Sequence, residues 1–204
     1  MFVTKDVYKI EASKGAYAYA VRNDYGITLI DTFYPDKGEE MMAELRAAGL
    51  DKVDRILLTH IDIDHIGNVA YIHKLTGCDI YLSAREKDSV YNPSLRKRPG
   101  ESSSLTALAA LPLQALTGDS IAGIGIVPSY GHTWGHTCFL YGGALFVGDL
   151  LAVAGDKVQE MELHYIKDHE QSLNAIKEVA DKVKFDVICP AHGEPLACTK
   201  ITLP

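Results

Sequence analysis

The sequence predicts an α/β protein built of two similar halves. Three observations carry this. The order strands, helix, strand runs twice along 204 residues. The composition, 47% hydrophobic and 23% charged, is that of a globular domain. Short apolar runs end in clusters of His and Asp, as strands do when they lead into functional loops. A chain of this size can bury a sizeable core, so residues 1–204 are expected to form a single domain. No exact repeat is visible, and the strands-helix-strand order argues against a single doubly wound sheet.

The elements follow in order. Val7–Ala12 reads as a strand. Ala16–Val21 and Ile27–Asp31 flank the turn cluster Arg22-Asn23-Asp24-Tyr25-Gly26 and predict a hairpin. Pro35-Asp36 opens a helix with Asp36 as its cap. Met41, Met42, Leu45 and Ala48 recur at helical spacing, and Gly49 ends it. Val53–Thr59 is an apolar run short enough for a buried strand. A loop of His and Asp leads to a helix from Asn68 to Leu75, ended by Gly77, and then to a short strand, Ile80–Ser83. Residues 91–104 combine Pro, Gly and Ser with the basic triplet Arg96-Lys97-Arg98. They predict a surface loop, either a solvated connector or a lid that receives an anionic substrate. In the second half, Ile124–Tyr130, Cys138–Tyr141 and Ala144–Val147 read as strands. Asp168 caps a helix reaching about Val183, with Leu173, Ile176 and Val179 on one face. Val187–Pro190 is a last strand running into Ala191-His192-Gly193.

Charge and patterning narrow the partners. The chain carries 20 basic and 27 acidic residues, a net charge of −7 and a pI of about 5.6. An acidic surface repels phosphate backbones, so nucleic acid is not an expected partner. The longest near-apolar stretch, Thr137–Val147, is shorter than the ~18 residues of a spanning helix and is broken by Gly142-Gly143, so no membrane is expected either. The segment Met1–Val7 holds no apolar run of the secretory kind, from which a cytoplasmic location is expected. Cys78, Cys138, Cys189 and Cys198 are widely spaced, without C-x-x-C, and read as reduced thiols acting as small hydrophobes. A small-molecule substrate is the expected partner; a homodimer stays open.

The chemistry sits in His60-Ile61-Asp62-Ile63-Asp64-His65, where four potential metal ligands fall within six residues between a strand and a helix. The polar residues alternate with Ile61 and Ile63, so an extended segment would turn the ligands to one side and pack the isoleucines on the other. Gathering carboxylates and imidazoles costs desolvation and repulsion unless a cation compensates them. Three further residues of the right type follow strands: His132 in Gly131-His132-Thr133-Trp134-Gly135-His136, Asp149 in Gly148-Asp149, and His192 in Ala191-His192-Gly193. Ligands on the ends of successive strands converge on one sheet edge.

Together these segments resemble the metallo-β-lactamase superfamily, whose pattern is H-x-H-x-D-H, a G-H-T-x-G-H segment, a G-D and a terminal His. Leu29-Ile30-Asp31-Thr32 and Leu57-Leu58-Thr59 are similar to that family's strand ends, and the resemblance spans nearly the whole chain. It implies a four-layer αββα sandwich with two divalent metal ions at one edge of the sheets. His60, Asp62 and His132 would hold the first ion, and Asp64, His65 and His192 the second. Asp149 would bridge the two. Asp31 and His136 would support the ligands from behind, and Asp64 and Asp149 would act in catalysis.

Asp62 departs from the family's commonest motif, which has His there. An extra carboxylate makes the site harder and more anionic. Zinc is the metal the family implies, whereas iron and manganese suit Asp62 better. Asp62 could also point away, leaving only the second position to fill. The leading functional reading is a hydrolase in which metal-bound water, its pKa lowered toward ~7, attacks a small ester, thioester, lactone or phosphoester. A second reading is a di-iron oxidoreductase, because the similar flavodiiron proteins also carry a carboxylate at this position. A third is a non-catalytic metal-binding protein. Tyr165 and Trp134 are the candidate substrate contacts, with Glu162, His164 and His169 nearby in sequence and Arg96, Lys97 and Arg98 able to receive an anionic tail.

Overall fold

The computed structural model describes residues 1–96 and 102–203. The first half forms one six-stranded sheet, in chain order β1 (Val7–Lys9), β2 (Tyr19–Asn23), β3 (Gly26–Ile30), β4 (Val53–Leu57), β5 (Asp79–Leu82) and β6 (Leu113–Ala115). β2 and β3 make the expected antiparallel hairpin, whereas β3 to β6 run parallel. Parallel neighbours need crossovers. Helices α1 (Gly38–Ala47), α2 (Ile63–Ile66), α3 (Val69–Thr76), α4 (Ala84–Tyr91) and α5 (Ser103–Ala109) lie in them.

The second half forms another six-stranded sheet. Its strands are β7 (Ser120–Ile121), β8 (Ile124–Pro128), β9 (Thr137–Tyr141), β10 (Ala144–Gly148), β13 (Val187–Pro190) and β14 (Leu196–Ala197), in the spatial order 14-13-10-9-8-7. A hairpin of β11 (Leu151–Ala154) and β12 (Lys157–Glu160) and helix α6 (His169–Lys182) connect β10 to β13. The Asp168 side chain caps α6 by accepting from the Gln171 N–H at 3.0 Å.

Three buried clusters define four layers. Met41, Leu45 and Ile72 of α1 and α3 pack on Ala18, Ala20, Leu29, Ile56 and Ile80 of the first sheet's region. Ile176 and Val179 of α6 pack on Leu145, Val147 and Ile188 of the second sheet. Between the sheets lie Tyr19, Val21, Ile30, Leu57, Phe139 and Phe146. The period of two is visible along β2: Tyr19 and Val21 face the other sheet, and Ala20 faces the helices. Burial of both faces by helix and sheet is the αββα sandwich.

Two parallel pairs set the functional edge. β3 and β4 end together, with Ile30 opposite Leu57. β10 and β13 end together, with Gly148 opposite Pro190. The sheets are tied at this edge by the Thr137 N–H donating to the Thr59 carbonyl (2.9 Å) and the Tyr19 hydroxyl donating to the Pro190 carbonyl (2.7 Å).

The structure corrects several local expectations. The strand expected over Val7–Ala12 stops at Lys9, and Glu11–Ser13 forms a 3-10 turn. Asp36 is not the cap of α1; it has φ 66°, and Lys37 occupies the cap position. The His60–His65 segment is extended only as far as Asp62, because Ile63–Ile66 turns into a helix. Ile61 is therefore buried, but Ile63 is exposed. Residues 91–104 are not a plain loop: a 3-10 turn covers Pro93–Leu95 and α5 starts at Ser103. Lys97 and Arg98 lie outside the described residues. The Arg96 guanidinium donates to the carbonyls of Ser89 (2.7 Å) and Val90 (2.5 Å), near the C-terminal end of α4, where helix carbonyls lack partners. Cys78, Cys138 and Cys189 are buried thiols, and Cys198 is half-buried.

Candidate metal centre

Four strand ends and one helical turn build the site. After β4 the chain reads Thr59-His60, then α2 turns Asp64 and His65 back toward the same point. The loop after β3 is pinned beneath this turn. The Thr32 N–H donates to the His65 carbonyl (2.8 Å), and the Asn68 amide donates to the carbonyls of Thr32 (2.7 Å) and Tyr34 (2.6 Å). Gly67 must be glycine here, since a Cβ would lie 2.2 Å from the Pro35 nitrogen.

Asp31 organises the imidazoles. Its Oδ1 accepts from the Thr59 N–H (2.8 Å), and its Oδ2 accepts from the Thr59 hydroxyl (2.7 Å) and from His65 Nδ1 (2.8 Å). Because the Thr59 proton goes to Asp31, Thr59 Oγ1 is left to accept from His60 Nδ1 at 2.9 Å. His192 Nδ1 donates to the Gly15 carbonyl at 2.7 Å, the only role a carbonyl allows it. His60, His65 and His192 thus each commit the Nδ1 proton outward and aim Nε2 at a common centre.

The converging imidazole nitrogens and carboxylate oxygens form two groups. Asp64, His65, Asp149 and His192 converge in one, and His60, Asp62 and His132 in the other. Asp149 stands between them. Its Oδ1 is 3.2 Å from His65 Nε2 and 3.3 Å from His192 Nε2. Its Oδ2 is 3.4 Å from His132 Nε2 and 3.9 Å from His60 Nε2. Asp62 turns inward, with Oδ2 at 3.6 Å from His132 Nε2 and 3.8 Å from His60 Nε2. Asp64 Oδ2 lies 3.4 Å from His192 Nε2.

This donor set fits divalent cations. The buried Nε2 atoms of His60, His65 and His132 and Oδ1 of Asp149 have no hydrogen-bond partner among the described residues. Orphaned buried lone pairs are costly unless something binds them. Charge tells the same story. Although burial opposes it, the carboxylates of Asp149 and Asp64 lift His65 well above the usual imidazole range and His192 to about 10. Burial, together with the neighbouring His65, holds His60 well below that range. Burial works against ionisation of Asp149, but His65 and His132 more than offset it, so its carboxyl is well below the usual range. The site therefore gathers protons where it could gather metal.

His136 stands behind this constellation. Ser129 Oγ is 2.8 Å from its Nδ1, and the Asp149 N–H donates to its Nε2 at 3.2 Å. Burial drives its pKa down to about 3, so the ring is neutral and fixes the Asp149 backbone. The approach is close enough that a Cβ on Gly148 (φ 48°) would lie 2.8 Å from His136 Nε2 and from Thr59 Oγ1.

A cavity of about 610 Å³ opens over the centre. Asp62, Asp64, Asp149 and His192 are on its floor, and Trp134 and Tyr165 line it, as do Tyr34, which sequence reasoning passed over, and Ile63, which it assigned to packing. Glu162 also reaches the cavity, whereas His164 packs on the Tyr165 ring at 3.7 Å and His169 pairs with Glu160 at 2.8 Å. Glu86 was missed altogether. It is 0% exposed and lines the cavity beside Trp134, and burial lifts its carboxyl to about 7. Its only sequence signal is Ser83-x-x-Glu86, the pattern of a helix capping box. Ser83 does cap α4, but the Glu86 side chain turns away, into the site.

Residues 14–192 match the family described as the metallo-beta-lactamase superfamily. A probable metallo-hydrolase of Methanocaldococcus jannaschii is 23% identical over 164 residues, 76% of each chain. A hydroxyacylglutathione hydrolase of Shewanella baltica is 29% identical over 149 residues, which are 72% of this chain and 51% of that protein. Among solved structures, a protein crystallised in a di-iron-bound form superposes with a TM-score of 0.68 at 25% identity, covering 89% of both chains.

Proposed function

The chain belongs to the metallo-β-lactamase superfamily, and from that premise we propose that it is a metal-dependent hydrolase of a small ester, thioester, lactone or phosphoester. The observation that carries the reading is Asp149, whose two carboxylate oxygens divide between two groups of converging imidazole nitrogens. Divalent ions bound there would supply Lewis acidity and lower the pKa of water toward ~7. The residues do the rest. His60, Asp62 and His132 would hold one ion, Asp64, His65 and His192 the other, with Asp149 placed to serve both. Asp64 faces the cavity next to His192, where it can keep the attacking water oriented and later return its proton to the leaving group. Tyr165 and Trp134, with Tyr34 and Ile63, form the walls that orient the substrate. The relatives named as a metallo-hydrolase and a hydroxyacylglutathione hydrolase support the hydrolytic class.

The test is elemental analysis of protein purified without added metal, followed by a panel of thioester, lactone and phosphodiester substrates. About two ions per chain and turnover abolished by a chelator are the expected results. A chain that retains its fold, binds no metal and hydrolyses none of the panel overturns the reading.

One observation favours a second reading, a di-iron oxidoreductase. Asp62 adds a carboxylate to the first group, and the similar solved structure holds two irons. Hard oxygen ligands suit iron or manganese more than an imidazole-rich set does. Iron with reversible oxidation and no ester turnover would select this reading; zinc or manganese with turnover selects the hydrolase.

A further inference from the structure

His132 differs from the other converging histidines in how it is held. Each of His60, His65 and His192 has its Nδ1 anchored by a hydrogen bond. The His132 ring has no hydrogen-bond partner at either nitrogen among the described residues. Its direction therefore depends on packing against the His60 and His136 rings and on the backbone of its own loop.

That loop is gripped by the first turn of α4. Glu86 Oε1 accepts from the Thr133 hydroxyl and from the Gly135 N–H (2.7 Å). The Ser83 hydroxyl donates to the Gly135 carbonyl at 2.6 Å. The Arg85 guanidinium lies 4.0 Å from the Tyr130 ring centre and 4.7 Å from that of Trp134. The approach leaves no room for a side chain at Gly135, where a Cβ would meet Ser83 Oγ at 2.4 Å and the Glu86 nitrogen at 2.5 Å.

We propose that Glu86 is the positioning residue of the first metal position, fixing His132 against His60 and Asp62 through Thr133 and Gly135. This rests on the metal-centre reading above. A neutral amide could hold the loop at less cost, because a buried carboxyl must be desolvated. The second oxygen, Oε2, is buried without a hydrogen-bond partner among the described residues, on a side chain that lines the cavity. When ionised, it would add to the charge of Asp62 and favour a cation in the first position over the second.

The test compares wild type, Glu86→Ala, Glu86→Gln and Thr133→Val, loaded with Co²⁺ and titrated with a competing chelator while visible absorption follows each ion. Glu86→Ala should bind the first ion 10–100-fold more weakly, the usual cost of losing a residue that orients a ligand. The second ion should keep its wild-type affinity. Glu86→Gln retains an acceptor for Thr133 and Gly135 and should recover part of the loss. Thr133→Val removes one of the two contacts and should fall between, which keeps the test decisive if Glu86→Ala fails to fold. Wild-type binding of both ions by Glu86→Ala, or by Thr133→Val where Glu86→Ala does not fold, or equal weakening of both ions, overturns the proposal. A wild type that holds two ions but hydrolyses nothing overturns the hydrolase reading alone, and one that holds none overturns both.

Discussion

Asp31 Oδ2 accepts a hydrogen bond from His65 Nδ1 across 2.8 Å, although the two lie 34 residues apart. Asp31 takes up a left-handed backbone (φ 60°) to do so, a conformation that Asp tolerates better than most residues. Replacing it by Ala strips His65 of its partner and frees the Thr59 hydroxyl that orients His60. Asp31→Ala should weaken metal binding about 10–100-fold, as measured by chelator competition. Unchanged affinity would mean that Asp31 does not set the imidazole geometry.

Removal of metal should make the fold pH-sensitive in a particular direction. With no metal, His192 has its pKa raised to about 10, because the neighbouring carboxylates of Asp149 and Asp64 outweigh burial. Its folded value is above its ordinary 6.5, so its contribution to stability is complete below pH 6.5 and is lost as pH rises through about 10. The metal-free protein should lose thermal stability over that window more steeply than His192→Gln does. Metal-loaded protein should lack this component, since an ion replaces the proton. Identical slopes for the variant and the wild type would remove His192 from the account.

Asp62→His restores the imidazole usual at this position in the family. It exchanges a hard anionic ligand for a neutral one, and metal content should move toward zinc and away from iron and manganese by roughly tenfold in relative affinity. Metal content and turnover indistinguishable from wild type would show that the inward-facing Asp62 carboxylate holds no ion.

Gly148 leaves no room for a side chain beside the site. A methyl there would lie 2.8 Å from both His136 Nε2 and Thr59 Oγ1, at a φ of 48° that disfavours L side chains. Gly148→Ala should cost about 2–3 kcal/mol by denaturant unfolding, from overpacking and backbone strain together. It should also disturb Asp149, which follows directly. A loss under ~0.5 kcal/mol would mean that the loop relaxes freely.

Much of this molecule was legible beforehand for a local reason. Strand alternation, the Asp168 cap and the ligand types around His60–His65 depend on neighbours a few residues away. The His60–Asp62 stretch was read correctly as extended, but the same alternation misread Ile63, because a helical turn begins there and leaves it exposed. Arg96, read as a receiver of anions, lines the cavity, and its guanidinium also donates to the Ser89 and Val90 carbonyls, contacts that nothing in its own segment foretells.

The sequence by itself determined that imidazoles and carboxylates would follow strand ends, since residue type and strand period are written in the chain. Only tertiary structure decided that Asp149 would divide its oxygens between two groups, that Asp62 would face inward, and that Glu86 would leave its own helix cap to hold Thr133 and Gly135. These outcomes depend on two sheets closing over each other. A side chain's direction across that gap is set by what it meets there, and residues distant in sequence meet only in the folded chain.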